Sequence, residues 1–267
     1  MNNIHPTAII DPSAKLDPSV KVGPYTVIRE DVVVGAGTVI GAHAVLEFVH
    51  MGKDNIISDA SYIGVAPQDL KYAGEKTLLV MGDRNKVREG ATLNRGTAAF
   101  GETKIGNDCL FMTCSHVAHD CQLGNQVILA NCVALAGHVE VGDGCVFGGF
   151  VGVHQYVKIG RFCMLGAGSM VAKDVPSFCN AQGDRATLRG LNLVGMRRAG
   201  LHRDSVSAIR EAYRTLFLSG RPWDEALAEV RASGVTEVQD MVRMIDGSKR
   251  GITRPATGVQ AEEEVTL

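Results

Sequence analysis

The stretch "VAHDCQLGNQVILANCVALAGHVEV", residues 117–141, keeps a six-residue beat: Val117, Leu123, Leu129, Leu135 and Val141. The residue four places after each is small, beginning with Cys121 and ending with Cys145. An amphipathic helix would space its apolar residues by threes and fours, and a half-buried strand would alternate every second residue. Neither template fits. A short strand with one buried aliphatic side chain, a small corner residue and a tight turn is the six-residue unit of a parallel β-helix. Three such units close an 18-residue triangular coil, and each coil needs its neighbours to bury its core.

The beat runs outward from this stretch in both directions. It holds from Ile105 through Phe111, Phe147, Val153, Ile159 and Leu165 to Val171. On the N-terminal side it starts at Ile4 and passes through Ile10, Leu16, Val22, Ile28, Val34 and Ile40 to Leu46, with His50 at one small position. One residue is lost near Met51, and the beat resumes at Ile57 and Ile63. Two insertions break it, "APQDLKYAGEKTLLV" near 66–80 and "RGTAAFGETK" near 95–104. After Val175-Pro176 it stops. Helical spacing follows: Val206, Ile209, Tyr213 and Leu216 mark a helix over 204–219, with Asp204 or Ser205 as its cap. Pro222 opens a second helix to about Arg231, and Val238, Met241, Val242 and Ile245 stripe a third over 236–246. The chain therefore reads as mainly β: a parallel β-helix over 1–176, a C-terminal α-helical domain over 177–246, and a polar tail over 247–267.

Composition suits this reading. Aromatics are scarce at 5% and glycines number 31, which fits a tightly wound repeat. A net charge of −2 gives no electrostatic case for nucleic acid or an anionic membrane as partner. "MNNIHPTAII" lacks a basic region followed by an apolar core, and no apolar run reaches the roughly 20 residues of a spanning helix. The seven cysteines are odd in number and without paired short spacings, so a reducing, cytoplasmic location is expected. Cys109, Cys121, Cys145 and Cys163 all occupy the small corner position, where a thiol packs as a small hydrophobe.

The 18-residue coil also sorts the histidines. The units beginning at Val117, Leu135 and Val153 stack on one face, and His119, His138 and His154 lie one in each, at outward or corner positions. His116 ends the unit before. One outward histidine is ordinarily surface decoration; four along one edge, beside Asp120 and Gln155, call for chemistry. Two chemistries compete. Zinc needs converging imidazoles with supporting acceptors, and the intervals of 3, 19 and 16 lack the pair five residues apart seen in hexapeptide-repeat carbonic anhydrases. Alternatively, His119 is a general base and Asp120 the carboxylate that fixes its tautomer.

"SHVAHDCQLGN", "ILANCVALAGHVEVGD", "GVHQYVKIG", "DVPSFCNAQG" and "QDLKYAGE" resemble the UDP-N-acetylglucosamine acyltransferases that begin lipid A biosynthesis, and the likeness covers nearly the whole chain. The resemblance implies a left-handed coil, a cytoplasmic homotrimer, and transfer of a 3-hydroxyacyl group from acyl carrier protein to the 3-hydroxyl of the nucleotide sugar. It implies no metal and no cofactor, the phosphopantetheine arriving on the carrier protein. His119 then corresponds to the general base, Asp120 to its orienting partner, and the Gly137 N–H to the oxyanion donor. Asp69 and Lys71 correspond to sugar and acyl contacts, with Gln68, His116 and His138 lining the same groove. His154, Gln155, Asn192 and Arg198 correspond to nucleotide contacts, and Ala167 to the position that sets acyl length. Read without the resemblance, Asp69 and Lys71 make an exposed ion pair of little worth, and Arg198 sits in an ordinary solvated helix.

Three positions depart from the family pattern. Asn94 stands where relatives carry histidine in "HRGT", Val194 where an acid is common, and Ala199 where a second arginine is common. The first touches the acceptor region, and some relatives acylate a 3-amino sugar. Other readings are the sister N-acyltransferase, whose extra N-terminal domain finds no room before Ile4, a zinc carbonic anhydrase, and a non-catalytic scaffold.

Overall fold

The structure is a computed structural model that describes residues 3–256. Among the described residues short strands stack, all in parallel but for the last pair of the third, into three sheets of 9, 8 and 10 strands, the faces of a left-handed triangular prism. The first face runs from Ile9–Ile10 to Met170–Val171, the second from Lys15–Leu16 to Lys158–Ile159. The third runs from Lys21–Val22 to Met164–Leu165 and is extended by Cys179–Gln182 and Thr187–Leu191. Coil register follows the sequence: His116 pairs with Ala134 and Ala134 with Gly152, while Val117, Leu135 and Val153 align inside.

The aliphatic column fills the axis, with Phe111, Val117, Leu129, Leu135 and Phe147 fully buried. The corner cysteines are buried and free, and burial pushes the Cys121 thiol up to about 12 and Cys109 to about 11. Cys109 and Cys121 therefore stay protonated at neutral pH and serve as packing, because a metal ligand has to be a thiolate.

The structure changes the sequence reading in four places. His50 does not occupy a small inward slot: the missing residue falls between Leu46 and Met51, so Val49 points in and His50 faces out to Asp31 at 3.0 Å. Residues 179–191 form an antiparallel hairpin on the end of the third face rather than part of a helical domain, because that sheet edge offers unpaired backbone groups. Four helices follow: α1 Leu193–Arg198, α2 Arg203–Phe217, α3 Trp223–Arg231 and α4 Thr236–Asp246. The cap of α2 is His202, which accepts from the Asp204 N–H, instead of Asp204 or Ser205. Part of the stretch read as a polar tail returns to the prism: Ile252 bridges Asp174, Pro255 bridges Leu188, and Arg254 lies 4.2 Å over the Trp223 ring. Residues 257–267 of that tail lie outside the described residues. Among the described residues no helix is long and apolar enough to cross a membrane.

Candidate active site

The edge where the first face turns into the second carries the chemistry. Its turn residues Asp120, His138 and Tyr156 share the left-handed conformation, with φ near 60°, and succeed one another every 18 residues. His119, Gly137 and Gln155 precede them and form a second column. Stacking therefore brings His119 above Gly137 by register alone.

His119 Nδ1 lies 2.8 Å from Asp120 Oδ2. A carboxylate only accepts, so Nδ1 carries the proton and Nε2 presents a lone pair. Asp120 is fully buried at the side chain and held on all sides. The Thr97 N–H donates to Oδ1 at 2.9 Å, the Thr97 hydroxyl donates to Oδ2 at 2.6 Å, and the Asp120 N–H donates to Thr103 Oγ1 at 2.8 Å. Burial alone would raise the Asp120 pKa, but the hydrogen bonds from Thr97 and His119 outweigh it and hold the carboxyl below its ordinary value.

Gly137 is required by this packing. A Cβ there would stand 2.6 Å from His119 Cε1 and 2.7 Å from Nε2. Among the described residues its backbone N–H donates to no protein acceptor. His138 stacks on Tyr156 at 4.4 Å and meets His119 edge-on at 5.1 Å. Its Nε2 is 3.7 Å from Asp120, and among the described residues its buried Nδ1 has no partner. Burial lowers the His138 pKa; Asp120 opposes that, His119 adds to it, and Asp69 is near enough to oppose it too. His116, also lowered by burial, pairs with Thr92 Oγ1 at 2.7 Å. Both rings are therefore neutral at neutral pH.

The other sequence candidates divide. Gln68, Asp69 and Lys71 lie on the 66–76 insertion beside His138; Asp69 accepts the Lys71 backbone N–H at 3.0 Å, and no Asp69–Lys71 ion pair occurs among the described residues. His154 and Gln155 are exposed one coil beyond His138, with His154 Nδ1 3.1 Å from the Gln155 carbonyl. Asn192 and Arg198 are elsewhere in the chain. Asn192 caps α1 by accepting from the Gly195 N–H and donates to the Phe162 carbonyl, at the edge between the second and third faces. Arg198 is exposed in the last turn of α1, with Val194 exposed and Ala199 as its C-cap. Ala167 is exposed at the third edge, between the third face and the first.

Four residues at the site escaped the sequence reading: Arg95, Thr97, Phe100 and Tyr156. Tyr156 was findable, since it follows His138 by one coil length. The others lie on or beside the second insertion, where the repeat that locates side chains is interrupted. His119, Asp120 and His138 each bring one ligand atom within 4.8 Å of the others. The carboxylate of that group is already engaged by His119 Nδ1 and by the Thr97 N–H and hydroxyl.

Residues 13–48 match a six-repeat model described as bacterial transferase hexapeptide, and residues 174–253 one described as UDP N-acetylglucosamine O-acyltransferase, domain 2. The chain is 48% identical over 207 residues to an acyl-[acyl-carrier-protein]–UDP-N-acetylglucosamine O-acyltransferase of Anaeromyxobacter sp. strain Fw109-5, covering 76% of this chain and 80% of that one. It is 44% identical to the Myxococcus xanthus protein of the same name, with the same coverage. The crystal structure of the UDP-N-acetylglucosamine O-acyltransferase of Moraxella catarrhalis superposes with a TM-score of 0.91 at 43% identity, over 94% of this chain and all of that one.

Proposed function

The chain belongs to the acyl-[acyl-carrier-protein]–UDP-N-acetylglucosamine O-acyltransferase family, and from that premise we propose that it transfers a (R)-3-hydroxyacyl group to the 3-hydroxyl of UDP-N-acetylglucosamine, the first step of lipid A biosynthesis. One observation carries the reading: His119 Nδ1 is committed to Asp120, leaving Nε2 as a base beside the unpaired Gly137 N–H. In the reaction Nε2 takes the proton of the sugar hydroxyl while its oxygen attacks the thioester carbonyl. The Gly137 N–H faces the oxyanion, a contact that can be worth about 3 kcal/mol. Collapse expels the phosphopantetheine thiolate, which recovers the proton from His119. Asp120 stabilises the imidazolium in between. No metal and no dissociable cofactor enters these steps.

Asp69, Lys71, Gln68, His116 and His138 contact sugar and acyl group, while His154, Gln155 and Arg198 serve the nucleotide, with Asn192 holding α1 for Arg198. Ala167 marks the far end of the acyl chain. These groups lie on three different edges of one prism, so a homotrimer completes the groove between subunits. Outward side chains support that assembly. The second face presents Lys104, Glu140 and Lys158, whereas Tyr62 and Met170 on the first face and Val39 and Ile56 on the third are exposed apolar residues. Packing two faces of each prism against copies buries them. The trimer works in the cytoplasm.

One observation favours a second acceptor. Asn94, aligned one coil before Ala118, donates to the Val65 and Ala66 carbonyls, while among the described residues its buried Oδ1 has no partner. Such an acceptor suits a 3-amino sugar as well as a 3-hydroxyl. Turnover of UDP-N-acetylglucosamine against its 3-amino analogue tests this directly. His119→Ala, assayed with the trimer intact, is expected to lose 10²–10⁴-fold in turnover. Activity within tenfold of the parent removes His119 as the base.

A further inference from the structure

The two insertions that interrupt the repeat are fastened to each other, and the fastening lies in four consecutive residues, Asn94-Arg95-Gly96-Thr97. The 66–76 segment has no strand, and Leu70 at its tip is fully exposed. Most of its other hydrogen bonds are internal, such as Tyr72 hydroxyl to the Glu75 carbonyl at 2.8 Å. Among the described residues, every hydrogen bond tying residues 66–77 to the prism involves residues 94–96. Asn94 Nδ2 donates to the Ala66 carbonyl at 3.0 Å, and Thr77 Oγ1 donates to the Gly96 carbonyl at 2.6 Å. Between them, Arg95 Nε and one terminal nitrogen donate to the Tyr72 hydroxyl at 3.1 and 2.9 Å.

Arg95 is an anchored cation. Its other terminal nitrogen donates to Glu47 and to the Gly64 carbonyl, both at 2.9 Å, and the guanidinium lies 4.6 Å over the Phe48 ring and 5.4 Å over that of Tyr72. Only 7% of it is exposed. One residue further, Gly96 has no space for a side chain, since a Cβ would meet the Glu102 backbone at 2.5 Å. One residue beyond that, Thr97 grips both oxygens of Asp120.

We propose that Arg95 and Thr97 are positioning residues of the acyl transfer, which together fix the Asp69-bearing segment and the Asp120 carboxylate in one register. The proposal rests on the proposed function. Arg95 acts through Tyr72 on where the sugar-contacting residues stand, so it governs substrate affinity. Thr97 acts through Asp120 on the orientation and basicity of His119, so it governs turnover. The titratable groups facing Asp120 are His119 and His138, and Asp69 in turn acts on His138.

The test uses Tyr72→Phe, which removes one hydroxyl, and Thr97→Val, which keeps the shape and loses the hydroxyl, with Thr97→Ser as the conservative control. Tyr72→Phe is expected to raise the KM for UDP-N-acetylglucosamine about tenfold with kcat within threefold, and to speed tryptic cleavage after exposed Lys71 severalfold. Thr97→Val is expected to lower kcat 10–100-fold at unchanged KM and to move the acid limb of the kcat profile to higher pH, because Asp120 loses a bond to its charged form. Thr97→Ser restores both. A KM within twofold and an unchanged cleavage rate for Tyr72→Phe overturn the role of Arg95. A parental kcat and pH profile for Thr97→Val, or failure of serine to rescue it, overturn the role of Thr97. A parent inactive on UDP-N-acetylglucosamine overturns the proposed function instead, and the tryptic rate still decides the fastening.

Discussion

Two regions of the same prism, the rungs around Asn85 and those around His119, handle buried polar groups in opposite ways. At the edge between the second and third faces, Asn85 is fully buried and every side-chain polar atom is paired: Oδ1 accepts from the Cys109 N–H at 2.8 Å and Nδ2 donates to the Gly106 carbonyl at 3.0 Å. Outside it, the Asn107, Asn125 and Asp143 side-chain oxygens each accept the N–H of the rung before. At the catalytic edge Asn94 is buried and His138 half-buried, yet among the described residues the buried atoms Asn94 Oδ1 and His138 Nδ1 have no partner, and the Gly137 N–H is unpaired. Buried polar atoms without partners are rare and costly. Among the described residues Ser115, Arg161 and Asn180 also carry such an atom elsewhere, but at the catalytic edge two of them stand with the Gly137 N–H in the coils around the His119–Asp120 pair, where an outside molecule can complete the bonds.

The sharpest way to break the contrast is Gly137→Ala. The new methyl meets the His119 ring at 2.6 Å and must push it off Asp120. Misplacing a catalytic group by about 1 Å can cost 10²-fold, so kcat is expected to fall at least 10²-fold while the thermal midpoint moves little. Retention of a third of the parental kcat shows that the ring tolerates displacement and that the two columns are not coupled as described.

Asn85→Ala probes the other edge. It strands the Cys109 N–H and the Gly106 carbonyl, and a buried unsatisfied group costs about 1–3 kcal/mol. Urea unfolding should register a loss of that size, with kcat per folded molecule unchanged. A drop in kcat without a drop in stability reverses the assignment of the two edges.

Sequence periodicity reached the first of these edges more easily than the second. The inward column from Ile105 to Val171 was legible because one aliphatic residue per unit obeys a single spacing, and the corner cysteines followed from it. The placing of His119 and His138 in successive coils of one edge was legible for the same reason, through the 18-residue coil, whereas Tyr156, one coil beyond His138, escaped although the same spacing offered it. Thr97 was not, because it meets Asp120 from 23 positions away across an insertion that has no period. The hairpin Cys179–Gln182 and Thr187–Leu191 was hidden because its strands answer to a sheet edge rather than to their own pattern. The hand of the coil came from resemblance alone. So did the roles of Asp69, Asn192 and Arg198, whose residue types are compatible with an exposed loop and a helix terminus.

The smallest effect comes from removing a single open atom at the catalytic edge. His138→Phe preserves the stack on Tyr156 and discards the unpartnered Nδ1. At pH 7 the variant should match the parent or exceed its stability by about 0.5–1 kcal/mol, within the range for relieving one unsatisfied group. The difference should widen on acidification. Burial lowers the folded-state pKa of His138 from 6.5, so the unfolded chain takes up its proton first as pH falls. Parental stability therefore declines as pH falls below about 6.5, until the folded-state pKa is passed. His116 is lowered in the same sense and contributes equally to both proteins, while Asp120 enters only below its ordinary value of 3.8. Urea midpoints at pH 7 and pH 5 should thus diverge less for His138→Phe than for the parent. Equal slopes would mean that His138 is as solvated when folded as when unfolded, and the catalytic edge would then be less strained than its geometry implies.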